Sequence, residues 1–485
     1  MIMRIKAVRA MGVAFFVIAA IGGTAPALGS EPVSQAELLE VIREQRAMID
    51  AQRASIENLE GRVEALEGLS DQVVGSKAAA GSQGETLLRE EDHQDAMVLT
   101  RRRAGAEEEL APIDLSVESD RTLPNQGMHI GLPQYDTKLT IAGLIKADFI
   151  HDFRGMDAPA QFIPAKIVVP GDSDGQTTFS ANPSRFVLAT ASSTGFGRLT
   201  SLFSMDLFGK ADGRAPDPRL RQAWGQLDGV LFGGGIRAGQ SWSTWDDVPA
   251  LPETLDFWGP NGSDQTRHPL LRWIRPIGEH WTVWTAVEDP QGSVSGMAAE
   301  NDTRWPDGVL SVIYAGDWGQ VKPALLLRDI GGKNASGTQR AFGWGVSASG
   351  VLNLPWLNKR DNFRWQAQYG EGIGFYVNSD DALPDAAMAG SELQLIPVFA
   401  GYVALQHWWN ETIRSNATFG WVDVNNQSLQ LGTALDRTFY TSGNLIWSPV
   451  PQVDLGVEFL WGEHRNKNGD DGYDPRLQFS AHYRF

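Results

Sequence analysis

Cysteine is absent from this chain of 485 residues, which excludes disulfides, thiolate metal sites and a cysteine nucleophile. Net positive charge is absent as well. The formal net charge is −18, whereas a general nucleic-acid-binding protein would be basic. Beyond residue 30 the sequence also lacks an apolar run long enough for a membrane-spanning helix. The length suits a large barrel or two to three domains, so residence in a membrane would have to come from β-strands.

The first 30 residues contain the three parts of a bacterial secretory signal. Basic residues lie in MIMRIKAVRA, the apolar stretch is MGVAFFVIAAIGG, and small residues follow in TAPALGS. The apolar stretch is short for a spanning helix. We therefore expect a signal peptide over residues 1–30 that is removed, rather than a membrane anchor. Cleavage after Ala27 and cleavage after Ser30 are both open.

Residues 31–70 contain a heptad pattern of side chains spaced alternately by four and three residues. A lone helix of this length is marginal in water, so the pattern predicts a coiled coil with partner chains. The β-branched a layers suit a dimer, whereas the two glutamine d layers are compatible with a trimer. An amphipathic helix folded back on its own domain is the alternative. The a positions are Ile42, Ile49, Ile56 and Val63, and the d positions are Leu38, Gln45, Gln52, Leu59 and Leu66.

Residues 71–137 are polar and irregular. Stretches such as GSKAAAGSQGE and EEDHQD have no apolar periodicity, and such composition is typical of a flexible linker. We expect this range to connect the coiled coil to a separate domain over residues 138–485.

Residues 138–485 alternate between apolar and polar side chains in many short runs, which is the period of a β-strand. The connections between the runs are alternately short, as in STGFG, PIGE and AGD, and long, as at 153–182, 290–307 and 371–390. An even number of strands with short turns on one side and long loops on the other is typical of outer-membrane barrels. The runs begin near residues 138, 183, 196, 218, 233, 268, 279, 308, 319, 340, 360, 391, 411, 434, 453 and 473.

The predicted fold is therefore an all-β transmembrane barrel of 16 antiparallel strands with an N-terminal periplasmic coiled-coil helix. Both ends of the barrel then lie on the short-turn, periplasmic side. Sixteen strands leave a lumen wide enough for water. The last run, DPRLQFSAHYRF, should close against the first, KLTIAGLIKADF. Its alternation places Phe479, Tyr483 and Phe485 towards lipid, and Arg476, His482 and Arg484 inward or at the periplasmic rim.

The domain over 138–485 resembles the DcaP-like family of trimeric outer-membrane porins, and the layout of the mature chain resembles that family as well. The most specific stretch is GQSWSTWDDVPALPETLDFWGPNG, residues 239–262. By count, the connection 243–267 corresponds to the third long loop, which in general porins folds into the lumen. The resemblance implies a homotrimer in the cell outer membrane. It also implies passive uptake of small anionic compounds such as dicarboxylates.

The residues themselves indicate a passive channel whose selectivity comes from charged groups at a constriction. Guanidinium groups match carboxylates in a bidentate manner, so arginines in the lumen would attract anions. The same arginines could instead pair with loop carboxylates and hold the loop. For the loop tryptophans, a ligand platform and packing against the wall are both open. The candidates are Arg185, Arg198, Arg221, Arg237, Arg272 and Arg364 on strands, and Asp246, Asp247, Glu253, Asp256 and Trp245 on the loop.

Two other functions are alternatives. A carbohydrate-selective porin would use aromatic side chains, which 17 Trp would allow. An outer-membrane hydrolase would need a nucleophile and a base, for which His407 with Asn410 or His464 with Ser480 are the candidates. The barrel contains neither a G-x-S-x-G nor an H-E-x-x-H motif, and we expect no metal or cofactor. The expected partners are further copies of this chain, outer-membrane lipid and small anions, with the cell wall as a further option through the coiled coil.

Overall fold

The alternating runs form long antiparallel strands that pair in chain order. The computed structural model describes residues 127–132, 136–171, 174–209, 216–296, 299–378 and 382–485. Within them, sixteen strands build one barrel. These are β1 Thr137–Asp152, β2 Arg185–Thr194, β3 Gly197–Asp206, β4 Arg219–Val230, β5 Gly234–Trp242, β6 Arg267–Ile277, β7 Trp281–Glu288, β8 Asp307–Gly316, β9 Gly319–Asn334, β10 Gly337–Asn353, β11 Asn362–Glu371, β12 Pro397–Trp408, β13 Ile413–Val424, β14 Leu435–Val450, β15 Val453–Asn466 and β16 Asp471–Arg484.

The barrel closes between its first and last strands. β16 runs antiparallel to β1, with Ala147 opposite Ala481. The backbone of Phe485 adds two hydrogen bonds with Gly143, of 2.9 and 3.1 Å. The expected pairing of the C-terminal run with the first strand is therefore confirmed, and this sheet has no open edge along β1 and β16.

The observed strand starts follow the expected ones closely. Fifteen of them lie within three residues of the predicted position, and only β12 differs more, because it begins at Pro397 rather than near 391. The intervening residues form a small separate sheet, in which Ala386–Ala389 pairs with Val294–Ser295 and with Glu392–Leu395. The last long connection is also shorter than expected, since only four residues separate β15 from β16.

The two faces of the wall differ as the alternation predicts. Phe479, Tyr483 and Phe485 are 46%, 48% and 38% exposed on the outer face, whereas Arg476 and His482 are buried on the inner side. An outer surface of exposed apolar and aromatic side chains is stable in a lipid bilayer and costly in water. We therefore treat the strands as membrane-spanning.

No helix among the described residues is both long and apolar enough to cross a membrane.

One part of the inner wall departs from the alternation of polar and apolar residues. Inward-facing positions of β1 to β4 form a buried apolar cluster rather than a polar surface. Period-two patterning alone therefore does not describe the lining of the barrel on this side. The cluster consists of Ala142, Leu144, Val187, Ala189, Leu202 and Trp224.

A short strand precedes the barrel. Met128–Leu132 pairs with the beginning of β1, where Ile130 lies opposite Leu139. This strand falls within the range 71–137 that the sequence predicts to be a linker, so ordered pairing begins earlier than residue 138. The predicted signal peptide, the coiled coil over 31–70 and the rest of the linker lie outside the described residues.

Candidate functional site

The connection between β5 and β6, residues 243–266, lies inside the barrel. Near its start, the Thr244 carbonyl accepts a hydrogen bond of 2.7 Å from Ser311 on β8. Farther along, the Leu255 carbonyl accepts one of 2.9 Å from Gln478 on β16. These two strands lie on opposite sides of a ring of sixteen. The connection, called the inner loop below, therefore reaches across half of the inner perimeter.

Two wall glutamates hold the ends of this path. The Glu288 carboxylate accepts hydrogen bonds from the Thr244 amide, at 2.7 Å, and from the Ser243 hydroxyl, at 2.8 Å. The Glu458 carboxylate accepts from the amides of Leu255 and Asp256, at 2.8 and 2.7 Å. Each glutamate thus fixes two consecutive residues of the inner loop.

The middle of the inner loop is tethered through Glu253. Arg414 on β13 binds this carboxylate with two hydrogen bonds of 2.7 and 2.5 Å, and Gln406 on β12 adds a third of 2.8 Å. Arg414 also donates to Asp454 at 2.9 Å. The middle of the inner loop, which we also call its tip, is therefore held by a bidentate ion pair between Arg414 and Glu253 that is largely shielded from solvent.

The predicted loop aspartates are buried by neighbouring groups instead of being exposed to the lumen. Asp247 accepts from Gln320 and Ser349, at 2.8 and 2.7 Å. Asp256 accepts from the backbone amides of Phe162 and Gly259, both at 2.8 Å. Both side chains are almost completely buried. Their contacts hold the loop, and they do not place exposed negative charge opposite the arginines.

Asp246 is buried in the same way, and the Lys322 ammonium donates to its backbone carbonyl. Trp245 packs rather than presenting an open platform. Its ring is 1% exposed, its indole nitrogen donates to Gln368 at 2.8 Å, and it makes an edge contact with Tyr376. Of the two readings left open for this tryptophan, the geometry corresponds to packing against the wall.

Two of the predicted arginines contact the backbone of the inner loop or its approach. Arg272 donates to the Thr244 hydroxyl at 2.7 Å and to the Trp242 carbonyl at 2.5 Å. Arg364 donates to the Leu251 carbonyl at 3.0 Å. Both side chains therefore help to position the loop.

The other predicted arginines lie on β2 to β5. Arg221 forms an ion pair of 2.8 Å with Asp206. Arg237 donates to Gln226 at 2.9 Å and stacks on Trp224 at 3.8 Å from the ring centre. Arg198 lies at the short-turn end of β3 and has inward parity. Arg185 begins β2 and is buried. Five of the six predicted arginines thus share one side of the wall, β2 to β6.

Sequence reasoning missed two arginines of a group that we call the arginine cluster: Arg185, Arg219, Arg221 and Arg267. Arg221 and Arg267 both lie over the Trp242 ring, at 5.6 and 4.4 Å from its centre. The charges of Arg185, Arg219 and Arg221 all repel that of Arg267. Arg219 shares Asp206 with Arg221, at 2.8 Å. A local signal existed for Arg219, because it precedes Arg221 by two residues on the same strand. Arg267 stands at the boundary between loop and strand, where no periodicity marks its direction.

Aromatic rings line the arginine cluster. The Phe257 ring of the inner loop lies 5.5 Å from the Arg221 guanidinium and 5.9 Å from that of Arg219. The Trp242 ring lies 4.4 Å from the Arg267 guanidinium. The inner loop and the arginine-bearing wall therefore approach each other at this point. Such a combination of cations and aromatic faces suits planar anions.

The proposed hydrolase pairs are not arranged for catalysis. In the register of β15 and β16, His464 lies opposite Gly472, whereas Ser480 lies opposite Gly456. Gly472 and Ser480 are eight residues apart along β16, so at about 3.3 Å per residue His464 and Ser480 are separated by roughly 26 Å. His407 pairs with Asp361 at 2.6 Å, and Asn410 caps its own turn through the amides of Thr412 and Ile413.

No family model matches this chain, and no curated protein matches it. Solved structures do match. The outer membrane channel DcaP of Acinetobacter baumannii is similar with a TM-score of 0.66 at 17% identity, over 74% of this chain and 100% of that chain. An anion-selective porin from Comamonas acidovorans has a TM-score of 0.48 at 9% identity, over 72% and 100%. OprB of Pseudomonas putida has 0.45 at 9%, over 72% and 94%.

The first of these likenesses confirms, at the level of the fold, the resemblance to DcaP-like porins that the sequence indicates. The other two are too weak to carry an argument. At sequence identities this low, structural similarity is evidence for a shared fold only.

Proposed function

We propose that this protein is an outer-membrane channel for the passive diffusion of small anionic solutes, dicarboxylates among them. A closed barrel with an apolar outer surface encloses a lumen through which small solutes diffuse, and the inner loop brings selective groups into their path. The likeness in fold to an outer membrane channel supports the proposal. The short turns then face the periplasm, where the coiled coil would lie.

The arginine cluster is the observation that carries the proposal. Asp206 forms ion pairs with Arg219 and Arg221. Together the four guanidinium groups concentrate positive charge on this side of the wall. In the low dielectric of a narrow passage, such a concentration of positive charge attracts anions and repels cations. Phe257 on the inner loop narrows the passage at this height.

Ion selectivity in planar bilayers tests the proposal. We expect the wild-type channel to prefer chloride over potassium, and the variants Arg219→Gln and Arg267→Gln to reduce that preference by removing positive charge. Arg437→Gln is the matched control, because Arg437 pairs with Asp423 in an exposed position away from the cluster. A cation-selective wild type, or a preference unchanged in both cluster variants, would contradict the proposal.

The same bilayers separate anion channels from sugar channels. We expect succinate to reduce the chloride current by competing for the arginine cluster, and maltose to leave it unchanged. Block by maltose without any effect of succinate would favour the carbohydrate-selective alternative instead.

We infer that the protein assembles as a homotrimer through the outer face of β1 to β3. This face carries hydroxyl pairs in positions of outward parity: Thr137 with Ser192 at 2.6 Å and Thr190 with Ser201 at 2.7 Å. Hydroxyl groups are costly against hydrocarbon and are accommodated more easily against another protein surface. Substituting Thr190→Phe should reduce the trimeric fraction in detergent, measured by light scattering. An unchanged mass would contradict this placement.

A further inference from the structure

A second cleft lies below the inner loop, at the short-turn mouth of the barrel. Its volume is about 600 Å³. Short-turn residues such as Glu411 and Pro451 form its rim, and Glu253 of the inner loop forms part of its inner boundary. Glu253 also borders a smaller cavity that contains Arg185. Arg185, Arg219 and Arg267 of the arginine cluster begin their strands, at the ends away from the short turns. This cleft, called the lower cleft, therefore lies nearer the short turns than the arginine cluster does.

Four arginines line the lower cleft, namely Arg360, Arg364, Arg414 and Arg484. Two of them are neutralised by carboxylates within the protein. Arg414 pairs with Glu253 at 2.5 Å and with Asp454 at 2.9 Å. Arg484 also pairs with Asp454.

The other two have no such partner. Among the described residues, no carboxylate forms an ion pair with Arg360 or Arg364, although the Glu411 and Glu253 carboxylates lie near enough to Arg360 to attract its charge. Arg364 is nine-tenths buried, and although one terminal nitrogen donates to the Leu251 carbonyl, its Nε has no hydrogen-bond partner. A buried guanidinium with an unused donor is costly unless a ligand satisfies it.

Arg360 is held in a position that suits recognition of an anion. Its guanidinium lies 3.2 Å from the centre of the Trp408 ring, and it donates to the Glu411 carbonyl at 3.3 Å. Stacking on an aromatic face uses the plane of the guanidinium and leaves N–H groups at its edge for a planar oxyanion. The tryptophan also limits the rotamers of a side chain that would otherwise be mobile.

We propose that the lower cleft is a second anion-binding site, in which Arg360 and Arg364 bind the carboxylate group of a small solute. The proposal deepens the proposed function and rests on it for the passage of the solute through the barrel. A carboxylate then meets two sites in series, the arginine cluster near the long-loop ends of β2, β4 and β6 and the lower cleft at the short-turn mouth. Two weak sites in series allow a solute to enter and leave more readily than one strong site.

Block of the chloride current by citrate, added separately to each side of a bilayer, tests the site. We expect Arg360→Gln to weaken block from the short-turn side about tenfold, and Arg360→Lys to restore it only in part, since an ammonium keeps the charge but loses the fork. Block from the long-loop side should stay within twofold. Arg437→Gln is the control and should change neither. Unchanged block in Arg360→Gln, or an equal loss from both sides, would overturn the lower cleft as a site.

Calorimetry tests binding in the lower cleft independently of the anion selectivity on which the proposed function depends. Citrate titrated into the detergent-solubilised full-length protein should release heat on binding in the lower cleft, which Arg360→Gln reduces and Arg219→Gln preserves. Binding that depends on Arg360 in a channel without anion preference would contradict the proposed function and leave the lower cleft intact. Anion preference without Arg360-dependent binding would support the proposed function and contradict the lower cleft as a binding site.

Discussion

Single residues determine how closely the inner loop can approach the wall. A Cβ atom on Gly262 would lie 2.0 Å from the Gly401 carbonyl oxygen and 2.5 Å from its backbone nitrogen. Both contacts involve backbone atoms of β12, which cannot rotate away. Two glycines therefore allow the loop backbone to lie directly against the barrel wall.

We predict that Gly262→Ala displaces the inner loop and lowers the free energy of unfolding by about 1–3 kcal/mol, the usual cost of overpacking. Thermal unfolding in detergent, followed by circular dichroism, measures the change, and single-channel conductance should shift with it. Gly443→Ala is the matched control, because a Cβ there meets no atom within 4 Å. Equal melting temperatures for the two variants would contradict the close packing.

A second residue of the inner loop gives a pH dependence. Burial raises the pKa of the Asp264 carboxyl to about 7. One of its oxygens accepts from the Thr266 amide and hydroxyl at 2.9 and 2.8 Å, and the other has no hydrogen-bond partner. The folded state therefore holds the proton more tightly than the unfolded chain does. The resulting stability is fully present below about pH 4 and is lost as the pH rises through about 7.

We predict that the melting temperature of the wild type falls between pH 5 and pH 8, and that Asp264→Asn reduces this fall. The amide keeps the acceptor for Thr266 and carries no charge that burial would penalise. Asp470→Asn, in the exposed connection between β15 and β16, should leave the pH profile unchanged. A profile that is the same in the wild type and in Asp264→Asn would show that this carboxyl is not responsible.

At the scale of an element, the inner loop is held against the wall by many contacts and has little secondary structure of its own. Its one regular turn is the 3-10 helix Val248–Ala250. Everything else is fixed by side chains from distant strands, above all Glu288, Glu458 and Arg414. Removing one partner of a buried ion pair leaves the other charge uncompensated, which is strongly destabilising.

We predict that Glu253→Gln and Arg414→Gln each loosen the tip of the inner loop and increase current noise in the open channel. In a double-mutant cycle, their effects on stability should be coupled by about 0.5–3 kcal/mol, the range for residues in direct contact. Unfolding in detergent measures the coupling. Additive effects of the two substitutions would show that the ion pair contributes no mutual stabilisation.

At the scale of the whole molecule, we expect the barrel and the assembly of several chains to depend on different parts of the sequence. Residues 127–485 contain every strand of the closed wall, and its two ends meet through Gly143 and Phe485. The predicted coiled coil over 31–70 contributes none of these strands. Its heptad pattern predicts a role in joining chains, either as a clamp for a trimer or as a tether to the cell wall.

We predict that deleting residues 31–70 leaves the barrel folded but lowers the trimeric fraction, because the truncated chain loses its heptad contacts. Circular dichroism checks the strand content, and light scattering in detergent checks the mass. The fold of β1 to β16 serves as the internal control. Intact trimers with unchanged transport after the deletion would refute the clamp and leave the tether.

Some features of the fold follow from local pattern. Strand number, strand starts and the outward position of Phe479 and Tyr483 depend on period-two alternation and on turn residues, which are properties of neighbouring positions. The exception at β12 has the same origin: Glu392–Leu395 is a strand, as its pattern indicates, but it pairs outside the barrel. Local pattern identifies a strand without identifying its partner.

The contacts of the candidate site do not follow from local sequence pattern. Its residue types are predictable, because counting the connections identifies the inner loop with its acidic residues, and the strands on either side show their arginines. Their roles depended on contacts over long separations, such as that of Glu253 with Arg414 across 161 residues. The burial of Asp247 and Asp256 and the grouping of Arg219 with Arg267 have the same cause. Side-chain partners across a lumen are set by barrel closure and strand register, and no short stretch of sequence carries that information.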